Sequence, residues 1–524
     1  MRYPIGVQTF EKMINGGYVY VDKTDLIYDL VQENVCFLSR PRRFGKSLLL
    51  STLEAYFLGQ KELFKGLKID GLEKDWLEYP IFRIDFSNGD YSNPDELSCK
   101  LNAYLSSWEQ LYGKKDIFTT YGDRFQYVLE QAYKKTGRKA VVLIDEYDKP
   151  MLDVLGEEQE KINRNILRGF YGTFKAADAS LRFVMLAGVT KFSQITVFSG
   201  FNQPKDISMS SHYDALCGIT EEELYETLAE PIREMAHVMD FTVEEMKAAL
   251  KKHYDGYHFS KRMLDIYNPF SIINALDEKS MDDYWYRSGT PTYLAKLIEG
   301  HNINMQELLE QPYEPKYFMD YKADVEDPLA MLYQSGYLTI KEYDAEYNEY
   351  LLDYPNDEVR SGFVILIANG YFEKTSKRPE SWVKRIGKML DTADLDSVRD
   401  AYTSFLASIP YEADKDVRAL NFETHFQYTF YIINRLLSCH TVLIEKQNSC
   451  GRVDIVVETK DYIYIFEFKV DKSADEALEQ IEEKQYALPY LDDPRKLYKV
   501  GVSISSETRT VAQWMVVDEA GRQV

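Results

Sequence analysis

Val35-Cys36-Phe37-Leu38-Ser39-Arg40-Pro41-Arg42-Arg43-Phe44-Gly45-Lys46-Ser47-Leu48-Leu49-Leu50 is the stretch that decides the fold of this chain. An apolar run, a tight basic loop and a second apolar run read as a short buried strand, a turn and the start of a helix. The loop closes on Gly45-Lys46-Ser47. Backbone N–H groups at a helix start, with the positive end of the helix dipole, suit a polyphosphate. Lys46 is expected to reach the β- and γ-phosphates, and the Ser47 hydroxyl to hold Mg²⁺. The common pattern G-x-x-x-x-G-K-[ST] asks for glycine at position 40, where this chain has Arg40. Arg42 and Arg43 make the loop unusually basic, and Pro41 stiffens it. Phe44 and Leu48 complete the set expected to surround ATP.

Bulk properties narrow the class. At 524 residues the chain is too long for one ordinary core, and length alone suggests about three domains. An apolar fraction of 45% with 41 tyrosines excludes a disordered chain. A net charge of -23 argues against non-specific coating of nucleic acid or anionic membrane, while leaving room for a local basic groove. The five cysteines show no CxxC spacing, which fits a reducing cytoplasm without disulfides or a zinc site. The N-terminus lacks the apolar core of a signal peptide, and no apolar run approaches the roughly 18 residues of a membrane span. A soluble cytoplasmic protein is the expectation.

Outward from the loop, Tyr18 to Thr24 reads as a strand ending in a polar turn, with a short helix from Asp25 to Gln32. It is either a contact for the nucleotide base or a packing element. Tyr79 to Phe86 is a second strand, and helices follow over roughly 94–112 and 121–136. Ala140-Val141-Val142-Leu143-Ile144-Asp145-Glu146 then describes a central parallel strand ending in two carboxylates. This is the Walker B pattern: Asp145 for the Mg²⁺ shell, Glu146 for the attacking water. Arg182 to Ala187 is a further strand, and Thr190 just beyond it is either a γ-phosphate sensor or a turn residue. Strands alternating with helices predict a doubly wound α/β domain with its ligand at the C-terminal strand ends.

From Thr220 the pattern turns helical, up to the aromatic turns Tyr254-Asp255-Gly256-Tyr257-His258-Phe259 and Tyr267-Asn268-Pro269-Phe270, expected to be packed corners of a lid. Arg40 to Ser47, Tyr20-Val21-Asp22-Lys23, Ile144 to Asp148, Gly188 to Ser193 and Tyr254 to Tyr257 together resemble the bacterial AAA-ATPase-like family. That resemblance covers about residues 4–270. It implies a P-loop ATPase related to STAND-type regulatory ATPases, with Arg40 in place of the first glycine as part of the family signature.

Leu329 to Ile340 suits a helix followed by a strand, and Tyr350 to Asn356 its hairpin partner. Such a winged-helix-like arrangement can bind DNA, or pack on the nucleotide domain as it more often does in regulatory ATPases. Arg287 is a surface or capping arginine before it is a phosphate ligand, and residues 374–412 read as a helical spacer.

Gly451 to Glu458 and Tyr462 to Val470 are two β-rich runs joined by Thr459-Lys460-Asp461, an antiparallel hairpin. Glu467 and Lys469 are two apart and project to one face, beside Asp454 on the neighbouring strand. Two carboxylates with one cation suit Mg²⁺-assisted phosphodiester hydrolysis, and a cross-strand ion pair is the plainer alternative. Glu423 in a helix ahead of the strands could complete the metal shell, and Gln480 lies in a helix behind them. The order helix-Glu, strand-Asp, strand-Glu-x-Lys, helix-Gln resembles the PD-(D/E)XK nuclease superfamily over about residues 413–520. The resemblance implies Glu423, Asp454, Glu467 and Lys469 as catalytic residues, with Gln480 in support and Glu423, Asp454 and Glu467 as metal ligands. The chain thus divides into a P-loop domain (1–220), a helical and winged-helix-like connector (221–412) and a restriction-endonuclease-like α/β domain (413–524). The expected function is nucleotide-regulated, Mg²⁺-dependent cleavage of DNA in defence or DNA maintenance; an ATPase with RNA as its substrate is a third reading. A regulatory ATPase whose C-terminal domain binds without cleaving is the alternative. ATP and Mg²⁺ are the cofactors, nucleic acid, DNA before RNA, is the partner, no membrane is expected, and a homo-oligomer is open.

Overall fold

The computed structural model describes residues 1–192, 204–289, 294, 308–309, 311–320, 328–363, 379–406, 441–448, 451–490, 493–508 and 510–524. The chain divides into two compact units, Met1–Arg360 and Ser361–Val524.

The first unit is built on five parallel strands: β1 (Val35–Ser39), β2 (Ile81–Asp85), β3 (Ala140–Asp145), β4 (Leu181–Gly188) and β5 (Lys205–Asp206). Their order is β2-β3-β4-β1-β5. Every residue of β3 is buried, as its unbroken apolar run requires of a strand covered on both faces. Because β1 lies between β4 and β5, the chain leaves the sheet at its C-terminal edge and opens the loop 40–45 there. The helix Lys46–Phe57 follows and buries Leu49, Leu50, Leu53 and Phe57.

Tyr18 to Thr24 does not form the expected strand. It runs without a ladder partner, held by Val19 N–H on the Arg2 carbonyl (2.9 Å), until the Asp22 carboxylate accepts from Thr24 N–H (2.9 Å) and the helix Thr24–Leu30 begins. Its apolar side chains are satisfied by packing instead: Val19 and Val21 lie against a core of Ile219, Leu228, Ile232 and Ile272.

A two-stranded ribbon, β6 (Ile219–Thr220) with β7 (Ile266–Tyr267), opens the helical lid. The helices Glu221–Thr227 and Val243–Tyr254 each start on a threonine whose side chain and a glutamate three residues on satisfy one another's backbone N–H groups. Beyond the lid, the helix Leu329–Ser335 stops at Gly336 in the left-handed conformation (φ 90°). The hairpin β8 (Thr339–Asp344) and β9 (Glu349–Asp353) completes the winged-helix-like module. This module packs on the nucleotide domain. Gln334 accepts from Lys191 N–H at 2.8 Å, and His258 bridges the Ile340 carbonyl and Asp265, each at 2.7 Å.

The second unit carries a mixed sheet in the order β10 (Thr441–Asn448), β11 (Gly451–Glu458), β12 (Tyr462–Val470), β13 (Lys496–Ile504) and β14 (Val511–Asp518). Only β12 and β13 run parallel, joined through the helix Ala474–Glu483. The helix covers one face through Ile481 against Val456, Ile463 and Ile465. The helices Pro379–Asp391 and Leu395–Leu406 belong to this unit as well, and Tyr464 of β12 donates its hydroxyl to the Leu390 carbonyl (2.6 Å). Among the described residues no helix is long and apolar enough to cross a membrane.

Candidate functional site

Gly45 makes the turn from loop to helix with φ 93°, a conformation natural to glycine. Lys46 then folds back beneath the loop, and its buried ammonium donates to the carbonyls of Arg40 (3.0 Å) and Pro41 (3.1 Å). Ser47, in the first turn of the helix, faces the carboxylate of Asp145 at the end of β3. Burial pushes Asp145 up from the usual carboxylate range, with the charge of Glu146 adding to the rise; Ser47 and the Lys46 charge act against it. Arg83 stands 3.9 Å from the same carboxylate. Glu146 takes a left-handed backbone (φ 49°), its N–H on the Asp145 carboxylate at 3.1 Å.

These groups open on a cleft of about 640 Å³ lined by Arg42, Arg43, Gly45, Lys46, Ser47, Leu48 and Glu146, together with Ser87 and Lys149. That volume is in the range of small-molecule sites. A second cavity of about 110 Å³ adjoins it at Gly45 and Leu48, walled by Tyr20, Val21, Phe44, Leu216 and Ile219. Lys23 reaches the rim of that cavity and is tied to Glu223 of the lid at 2.5 Å.

Two residues of the expected set stand elsewhere. The guanidinium of Arg40 is buried behind the loop, donating to the carbonyls of Ser39 (3.0 Å), Ser208 (2.6 Å) and Tyr213 (3.3 Å) and lying 4.0 Å from the Phe259 ring centre. Thr190 is fully buried, its hydroxyl against the Met331 sulfur at 3.6 Å, and it does not line the cleft. What holds Thr190 is Asp148, which accepts from the N–H groups of Val189 (3.0 Å) and Thr190 (2.6 Å). Burial, then the charge of Glu146, push the Asp148 carboxyl up to about 7. Arg83, Asp148 and Lys149 stand around these groups without having been given a place there from sequence. Only Asp148 left a signal, as a second acid three positions beyond Asp145.

In the second unit Asp454 and Glu467 fall opposite one another, one step beyond the paired Ile455 and Phe466. Asp454 accepts from Phe468 N–H at 2.8 Å. Glu467 is 1% exposed, and one of its oxygens takes the Lys469 ammonium at 3.0 Å. Its other oxygen is buried without a hydrogen-bond partner. Burial, then the Asp454 charge, push Glu467 up to about 7 against the pull of Lys469. Gln480 donates to the Tyr486 hydroxyl (3.3 Å), and the charges of Glu467, Asp454 and Lys469 all reach that hydroxyl. Glu423 lies outside the described residues.

An unpartnered carboxylate oxygen beside a second carboxylate is a donor set that fits a hard divalent cation. Among the described residues no group of three or more His, Cys, Asp or Glu forms a metal cage. The Ser47–Asp145 pair supplies one hydroxyl and one carboxylate at the P-loop, which also fits Mg²⁺.

Comparison with known proteins agrees with this division. A family model described as Predicted AAA-ATPase matches residues 4–198, and one described as PD-(D/E)XK nuclease superfamily matches residues 421–514. A protein of Azotobacter chroococcum mcd 1, named "Uncharacterized protein in vnfD 5'region", is 33% identical over 526 residues, covering 98% of each chain. Among solved structures, the Aeropyrum pernix ORC1 protein in complex with DNA matches at 11% identity over 67% of this chain and 92% of that one. The TM-score of that match is 0.25. The chain belongs to the family it shares with the Azotobacter protein, AAA-ATPase-like proteins that carry a C-terminal domain of the PD-(D/E)XK nuclease superfamily.

Proposed function

We propose that this protein binds and hydrolyses ATP and uses the nucleotide state to control Mg²⁺-dependent cleavage of DNA by its C-terminal domain. In this reading residues 1–220 bind the nucleotide, 221–412 form the lid and connector, and 413–524 hold the nuclease centre. The triphosphate lies along Gly45 to Leu48 with Lys46 on its terminal phosphates. Ser47 and Asp145 hold Mg²⁺, Glu146 takes the proton of the attacking water, and the base enters the apolar cavity beside Tyr20 and Ile219. Arg40 and Thr190 serve from behind, fixing the loop and the end of β4, while Phe44 walls the base cavity.

Asp454 and Glu467, with Glu423, hold Mg²⁺ in the second centre. Bound there, the ion supplies charge stabilisation to the phosphodiester. Lys469 neutralises charge on the same phosphate, and Gln480 orients Tyr486 beside it. The observation that carries the nuclease reading is the buried, unpartnered oxygen of Glu467 between Asp454 and Lys469.

The test is cleavage of plasmid, linear and single-stranded DNA, and of RNA, with Mg²⁺ or Mn²⁺, with and without ATP. Asp454→Ala and Lys469→Ala are expected to abolish cleavage, and Lys46→Ala to alter only its response to ATP. ATP binding without cleavage of any substrate would instead make the chain a regulatory ATPase switch with a C-terminal binding module. The net charge of -23 favours that second reading, because it opposes approach to DNA.

A further inference from the structure

The phosphate loop sorts its side chains into two groups. Three are packed away from the cleft. Arg40 is anchored on the carbonyls of Ser208 and Tyr213. Pro41 abuts Gly336, where an added Cβ would come within 2.6 Å of it. Phe44 meets Tyr257 and Phe259 edge-on, at ring-centre distances of 4.8 and 5.4 Å. The backbone is tied from the same side, with the Trp285 indole N–H on the Arg42 carbonyl at 3.2 Å.

The remaining two, Arg42 and Arg43, line the cleft with Lys46, Ser47 and Glu146. Arg43 is exposed, takes a left-handed backbone (φ 69°) and lies 5.0 Å from the Phe270 ring centre. Neither guanidinium has a carboxylate partner among the described residues, although the chain carries 85 acidic residues against 62 basic ones. Other cations nearby are neutralised: Lys149 pairs with Asp153, and Arg287 with Asp282. Two adjacent guanidiniums left unpaired in an acidic protein, beside the groups that would hold a triphosphate, leave a place for anionic charge.

On the nucleotide reading above, we propose that Arg42 and Arg43 are the catalytic arginines of this ATPase, acting on the γ-phosphate of the nucleotide bound by their own chain. No arginine from a second subunit is needed. In the step they serve, water oxygen bonds to the γ-phosphorus and the bond from that phosphorus to the β–γ bridging oxygen breaks. The water's proton goes to Glu146 and then to solvent, leaving ADP and phosphate. The guanidiniums stabilise the charge that builds on the γ-oxygens and the bridging oxygen.

The test uses the full chain. Arg42→Ala/Arg43→Ala is expected to lower kcat on the order of 100-fold or more, while the Kd for ADP changes by less than about threefold. Arg42→Lys/Arg43→Lys is expected to recover part of kcat, because it keeps charge but loses the fork geometry. Wild-type specific activity is expected not to vary with protein concentration. Mixing Arg42→Ala/Arg43→Ala with Lys46→Ala is expected to restore nothing, since each chain lacks one half of its own site. Recovery on mixing, specific activity that climbs with concentration, or wild-type kcat in the double variant would overturn the inference alone. A wild-type chain that hydrolyses no ATP would overturn the nucleotide reading, and this inference with it.

Discussion

Burial raises the carboxyl of Glu467 from 4.5 to about 7, Asp454 adds to the rise, and Lys469 opposes it. A carboxyl held above its unfolded value favours the fold at low pH. That stability is complete below about 4.5 and is lost as pH climbs through about 7. Glu467→Gln removes the loss. Without metal, at pH 8, it is expected to stabilise the second unit by about 1–3 kcal/mol, seen as a Tm several degrees higher in EDTA. At pH 4.5 the gain should vanish, and a lower Tm at pH 8 would contradict the buried, repelled carboxylate. By the same sign, Mg²⁺ affinity rises with pH between 6 and 8, since the ion needs the ionised form. Residue by residue, the sequence was most legible where backbone direction alone fixes the side chain. Glu467 and Lys469 share a face because a strand alternates, and Ser47 meets Asp145 because both follow the C-terminal ends of parallel strands. Arg40 and Thr190 were not legible. Each sits at a loop position whose side chain is turned by partners distant in sequence, Ser208 and Tyr213 for one and Met331 for the other.

Elements with strong periodicity formed as their pattern asks: β3 as an unbroken apolar run, and β11 with β12 as a hairpin about Thr459–Asp461. Tyr18 to Thr24 alternates equally well but found no strand beside it. Alternation states which face is apolar, not whether a neighbour offers hydrogen bonds. The helix Leu329–Ser335 was legible too, while its contact with the phosphate loop was not, because it depends on an absence, the missing Cβ of Gly336. Gly336→Ala tests that contact. The residue has φ 90°, and the new Cβ would meet Pro41 at 2.6 Å. Left-handed strain alone costs about 1 kcal/mol, and the clash must move either the helix or the loop. Since the Pro41 carbonyl is one of the two acceptors that position Lys46, ATP affinity should fall along with Tm. Nucleotide titration and thermal melts read both. A lower Tm with unchanged ATP affinity would show that the helix supports the fold without bearing on the loop.

At the scale of the whole chain, two compact units each hold one expected centre, with different ligands. Ligands that bind the native state stabilise the unit they bind, by about 2.7 kcal/mol at a hundred times Kd. Calorimetry of the full chain should therefore show two transitions that respond separately. ATP with Mg²⁺ is expected to raise the transition of residues 1–360, and Lys46→Ala to cancel that rise. Mn²⁺ alone is expected to raise the transition of residues 361–524, and Asp454→Ala to cancel that one. Each variant should leave the other transition's ligand response intact. If ATP raises both transitions together, and Lys46→Ala abolishes both responses, the units unfold as one and nucleotide binding is linked to the nuclease centre through stability. If ATP raises only the first, any control of cleavage must act on the native chain during turnover. The net charge of -23 bears on the same experiment. Self-repulsion weakens as salt is added, so both transitions should move upward from 50 to 200 mM salt, while DNA binding that depends on Lys469 and local basic groups should weaken over the same range. Opposite salt responses of stability and DNA binding would separate the charge of the whole molecule from the charge of its site.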